Sequence, residues 1–311
     1  MDKREAITAS NLGPVVSLLT WIMAASIITA VGIKFTLSSL VLKRRNREDI
    51  ALFLAMAFSI GFSIAMSFAA QNGIGRHENS LSPRQLESLQ KAVYSADILL
   101  ILVLSSVQAS ILVFLHDITP NSRHTVSIKY MADFTTLFSV SSFVAVFQCS
   151  SPRVWKMLGS QCIDRLSFWE VFVGVNLVAE TILISFPIMM PRSKKVTVIG
   201  GFATRLLVVG AFAAQFHEAQ ELKSQLSDRT FHSWKFLLTM VFVQGFSIIT
   251  VCIPYIRNML LSMESGMIQT GHFRLPSRRG TETEVVLQPI TVTHTITKRF
   301  VNEGAKLHLI A

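Results

Sequence analysis

Residues 50–70 read IALFLAMAFSIGFSIAMSFAA, without one charged side chain. A run of about 20 apolar residues at the helical rise matches the hydrocarbon thickness of a bilayer. In that solvent each backbone amide must bond within its own segment, so the run is predicted to be a membrane-spanning helix. Apolar stretches recur over residues 14–37, 93–115, 130–147, the later part of 147–195, 196–216 and 236–256. A chain that is half hydrophobic and only 15% charged has the composition of a membrane protein. The expected fold is all-α, a polytopic membrane protein with seven transmembrane helices. Its organisation is a short outer segment, 1–13, a seven-helix domain, 14–262, and a flexible cytoplasmic tail, 263–311.

Charge sets the expected orientation. Lys43, Arg44, Arg45 and Arg47 follow the first span and outweigh Lys3 and Arg4 before it, which puts the N-terminus outside and, after seven crossings, the C-terminus in the cytoplasm. Arg192, Lys194 and Lys195 mark a second inner cluster. The first apolar run is too long for a signal-peptide core and lacks a clear small-residue cleavage site, so it is expected to remain as a span. Lys34, near the end of that run, is expected to snorkel to the inner interface. The formal net charge of +10 is read as topogenic and lipid-facing, and no nucleic-acid partner is expected, since no compact basic domain with interleaved aromatics is present.

Polar groups inside apolar runs are costly, and these are the candidate site residues. Asp97 and Gln108 fall in the third span, Asn176 and Glu180 four apart on one face of the fifth, and Arg205 in the sixth. Glu180 and Arg205 lie at the same depth to within about one turn. Either they neutralise each other between adjacent helices, or Glu180 bonds Asn176 or a backbone carbonyl while Arg205 reaches water. Cys149 and Cys162 share an expected outer loop with Trp155, on the oxidising side, so a structural disulfide closing that loop is expected, with two buried free thiols as the alternative. Cys252 is read as an apolar core residue.

The constellation is specific in order: Phe147-x-Cys149, Pro152-x-x-Trp155, Cys162, Asn176-x-x-x-Glu180, Pro187 and the Lys194-Lys195 pair. It resembles the fungal rhodopsin-like integral membrane family, which includes Pth-type receptors and the membrane protein of the satratoxin gene cluster. Gly73-Ile74-Gly75-Arg76-His77 resembles that family's G-x-G-basic-His element, Asp228-Arg229-Thr230-Phe231 its D-x-T-aromatic element, and Cys252-Ile253-Pro254-Tyr255-Ile256-Arg257 its C-x-P-x-x-R close. The chain departs from the pattern at four places. Gln108-Ala109-Ser110 replaces K-x-S, Arg205 stands where a small residue is common, and Gln215 stands where the family has an arginine. The acidic residue often seen midway along the last span is missing, with Gln244 the nearest polar group.

The resemblance implies a receptor-like role, and its members often accompany secondary-metabolite gene clusters. A small-molecule ligand is expected to enter near Trp155 and approach Asn176 and Glu180, with a cytosolic signalling partner on the inner loops and tail and the lipid bilayer around the spans. Retinal is not expected, because a Schiff base needs a lysine inside the last span and Lys235 stands only at its mouth. No cofactor is expected, and no metal site. Neither H-E-x-x-H, G-x-S-x-G nor a phosphate-binding loop occurs, so the chain is not read as an enzyme. A membrane-embedded terpene cyclase using Asp97, Asp133 or Glu180 and a small-molecule transporter are the alternatives, the latter without the internal repeat common to transporters.

Overall fold

The computed structural model describes residues 12–39, 47–77, 80–119, 122–147, 165–185, 203–224 and 229–264. They form seven α-helices: α1 (Gly13–Leu37), α2 (Arg47–Gln71), α3 (Pro83–Ile118), α4 (Ser122–Phe147), α5 (Arg165–Ser185), α6 (Leu206–Ser224) and α7 (Arg229–Glu264). No strand occurs among the described residues. Six helices, α1 to α5 and α7, are long and apolar enough to cross a membrane. The exception is α6, whose second half, HEAQELKS, is polar. Residues 265–311 lie outside the described residues.

Local chemistry places the helix ends. Ser82 and Gln85 form a capping box, and Pro83 occupies the first turn, where its missing amide costs nothing. No glycine or proline follows before the apolar run, so nothing stops the helix. The polar residues after Ser82, which precede the apolar stretch at 93–115, are therefore the first turns of α3 itself. The inner connection expected at 116–129 is likewise mostly helical, because α4 starts at Ser122. The outer loop expected at 217–235 is taken up largely by α6 and α7, since Glu, Ala, Gln, Leu and Lys are strong helix formers whatever their polarity. The sixth span was expected at 196–216; the described helix starts only at Leu206 and runs on to Ser224.

After α2 the chain reverses through Gly73 and Gly75, with φ of 109° and 72°. These are left-handed conformations that a Cβ disfavours, and a Cβ on Gly73 would also run into Leu81. Ile74 between them is fully buried, and the Leu12 amide donates to the Gly75 carbonyl at 3.5 Å, tying the start of α1 to this turn.

Each described helix packs on at least one other, α4 on α3 alone at any extent. α1 lies against α2 and α7, α2 against α3, α5 against α6, α6 against α7, and α3 crosses to α7. α3 and α7 are the most deeply buried and α4 the least. The core is in two parts. One gathers Phe62, Met66, Leu100, Trp169, Phe212 and Met240, and the other Ile27, Leu52, Val107, Leu115, Leu183 and Ile248. Large apolar side chains on the outer faces, among them Trp21, Phe53, Phe68, Leu137 and Val171, are exposed. A bilayer, not water, is the solvent that suits them.

Lys34 corrects an expectation. It does not reach for the interface: its side chain is 3% exposed, and Nζ lies 3.2 Å from Oδ1 of Asp49 in the first turn of α2. Ser38 donates to the other Asp49 oxygen at 3.3 Å. An acid buried beside the lysine makes pairing cheaper than stretching to water.

Candidate functional site

The interior of the bundle holds a string of polar links between α3, α5 and the start of α6. Asp97 accepts two hydrogen bonds from Arg165, from Nε at 2.7 Å and from Nη2 at 2.8 Å. This fork-to-carboxylate geometry is the strongest form of charge-assisted bond. Arg165 opens α5, where the helix dipole disfavours a cation, so the buried acid on α3 offsets its own position. Its guanidinium also lies 5.6 Å from the centre of the Phe236 ring. One side chain thus joins α3, α5 and α7.

Further along, the Gln108 amide donates to Oδ1 of Asn176 at 2.7 Å, and Asn176 donates to the Phe172 carbonyl at 2.8 Å. Both links join residues 68 apart in the chain. A constant offset means that α3 and α5 run parallel and in register. From Asp97 to Gln108 is about three turns, which returns to the same helix face about 16 Å on. The pair of links therefore clamps two helices along one seam. Gln108 replaces the lysine that the resemblance led one to expect, and a neutral donor is what a neutral asparagine can satisfy without a counter-ion.

One turn beyond Asn176, Glu180 meets Arg205. Nη2 lies 3.2 Å from each carboxylate oxygen, and the two side chains are 1% and 2% exposed. The alternative arrangement, with Glu180 on Asn176 and Arg205 in water, is not the one found. The pair is incompletely satisfied: Nε and Nη1 of Arg205 and Oε2 of Glu180 have no hydrogen-bond partner among the described residues. Gln215 and Gln244, two of the positions where the chain departs from the resembled pattern, are fully buried, and among the described residues neither amide atom of either has a partner, nor does the Ser247 hydroxyl.

The five candidate polar residues, Asp97, Gln108, Asn176, Glu180 and Arg205, are thus all buried and all linked, though as three separate contacts. Arg165 was missed, because it sits at a helix start among loop charges; only the buried Asp97 hinted that a cation had to be near. Another union was invisible in sequence. His77, from the glycine turn, stacks on Phe231 at the start of α7, with ring centres 4.5 Å apart and planes 5° from parallel. Two short elements more than 150 residues apart in the chain close one end of the bundle together.

Cys149, Cys162, Trp155 and Pro187 lie outside the described residues. Cys252 is a free, buried thiol. One group of possible metal ligands does assemble: His217, Glu218 and Glu221 on α6 hold ligand atoms within 4.8 Å of one another at the surface. Lys235 lines the same small cleft as the two glutamates, a fixed cation already beside them. That same Lys235, partly buried and seven residues into the helix, is the single lysine of α7.

A family model described as the fungal rhodopsin domain matches residues 33–262. No curated protein and no solved structure matches the chain.

Proposed function

This chain belongs to the fungal rhodopsin domain family, and from that premise we propose that it is a receptor-like integral membrane protein crossing the bilayer seven times, N-terminus outside and C-terminus in the cytoplasm. It carries no catalytic activity in this reading. Its ligand is a small molecule that enters from the outer end and reaches the buried polar string. The observation that supports this most is the Glu180–Arg205 pair, buried between helices with unspent donors on the guanidinium. An arginine held at depth with free N–H groups suits an oxygen-bearing ligand, and a ligand competing for Arg205 would loosen α5 from α6. Loosening two helices is the kind of change that inner loops can report to a cytosolic partner. The family resemblance further supports an accessory role beside a secondary-metabolite gene cluster, which gene neighbourhood would test.

The discriminating experiment uses purified full-length protein in nanodiscs, with the metabolite of a neighbouring gene cluster as probe. A receptor gives ligand-dependent capture of a cytosolic partner, lost in Glu180→Gln. Vectorial flux in proteoliposomes, lost in the same variant, would point to a transporter instead, and product formed without a partner would point to a cyclase.

A further inference from the structure

A groove of about 1150 Å³ runs between α2, α3 and α4, apart from the Glu180–Arg205 pair. Its chemistry is divided by depth. At one end stand Arg47, His116, Asp117 and Lys129; the walls beyond carry no charged side chain and are mainly apolar, and Leu54 and Val140 along them are exposed on the outer face of the bundle. From His116 to Ile101 the α3 wall climbs about 22 Å, longer than the roughly 15 Å of one leaflet's hydrocarbon.

Hydroxyls along the wall do not make it a polar site. Ser105 and Ser106 donate to the Ile101 and Leu102 carbonyls at 2.6 and 2.7 Å, and Thr135 donates to the Ala132 carbonyl at 3.1 Å. Gln108 is committed to Asn176. Thr136 and Ser139 also line the wall, but the charged side chains are all at the mouth. There His116 faces Asp117 at 3.4 Å, while Arg47 and Lys129 have no ion-pair partner among the described residues.

We propose that this groove is a binding site for one anionic phospholipid, its phosphate on Arg47 and Lys129 and an acyl chain lying along α3 and α4. A groove that is basic at one end, apolar for a chain's length and flanked by lipid-exposed side chains complements that amphiphile and no water-soluble anion. The inference stands apart from the receptor reading, since it uses neither the Glu180–Arg205 pair nor any signalling partner; Gln108, which also lines the groove, is already bonded to Asn176.

The test is native mass spectrometry of delipidated full-length protein given phosphatidylglycerol and phosphatidylcholine in equal amounts. Phosphatidylglycerol is expected to be retained over phosphatidylcholine by about thirtyfold, the contribution of two basic side chains near a membrane surface. Arg47→Gln with Lys129→Gln should bring the two lipids to parity, while Arg84→Gln, at the opposite end of α3, should leave the preference intact. Ala132→Trp fills the groove without touching the charges and should lose both adducts. Equal retention of the two lipids by the native protein, or an undiminished anionic preference in Ala132→Trp, overturns the proposal, as does displacement of the lipid by millimolar glycerol phosphate. If the double variant fails to fold, Ala132→Trp decides alone.

Discussion

At the residue scale the protein is governed by the cost of charge in a medium without water. Glu180, Arg205, Lys34, Asp49 and Asp97 are each nearly inaccessible, and each is within bonding distance of an opposite charge. Breaking such a pair leaves one uncompensated charge, which costs about 3–5 kcal/mol, whereas replacing both partners by apolar groups of similar volume is often neutral. Glu180→Gln is therefore expected to lower the thermal midpoint of the detergent-solubilised protein sharply. Glu180→Gln combined with Arg205→Met should recover most of that loss, and so should the charge swap Glu180→Arg with Arg205→Glu. Additive losses in the double variants would mean that the two side chains do not depend on each other. The Asp97–Arg165 fork should show the same dependence, with a coupling of about 1–3 kcal/mol in a double-mutant cycle of Asp97→Asn and Arg165→Gln.

At the element scale the helices are joined by a few specific devices laid over nonspecific apolar packing. In lipid, apolar side chains gain little by meeting each other, so polar seams and close turns decide which helices pair. The α3–α5 clamp is one such device, and the glycine turn is another. Gly73→Ala meets both an unfavourable φ and the Leu81 side chain, and is expected to destabilise by about 1–3 kcal/mol. The stacked His77 and Phe231 rings should couple by about 0.5–1.5 kcal/mol when each is changed to alanine singly and together. Zero coupling by thermal denaturation would show that the stack is incidental. This scale also explains why helix ends were misjudged. Polarity ends a membrane span but not a helix, so Leu206–Ser224 and Pro83–Ile118 run on beyond their apolar parts.

At the scale of the whole molecule, α3 and α7 are the most deeply buried of the six candidate spans among the described residues. Six helices qualify as spans by length and composition, so the role of α6 and the residues before it sets the parity of crossings. Seven crossings put the two termini on opposite sides of the membrane. A protease-sensitive tag on residue 1 and another on residue 311 of the full chain are expected to be cleaved from opposite faces of sealed vesicles. Cleavage of both from one face would establish an even number of crossings.

The sequence by itself determined the solvent and the class of fold. Uncharged runs such as residues 50–70 have only one low-energy state in hydrocarbon, a helix, because no other conformation bonds its own amides there. It also determined which residues were under strain, since any polar group in such a run must find a partner, and Asp97, Gln108, Asn176, Glu180 and Arg205 were legible for that reason. What only the tertiary structure decided was who the partner is. Arg165 for Asp97, Asp49 for Lys34 and Phe231 for His77 depend on helix rotation and on the register between distant segments. Hydrophobic periodicity does not encode that register when every face of a helix is apolar.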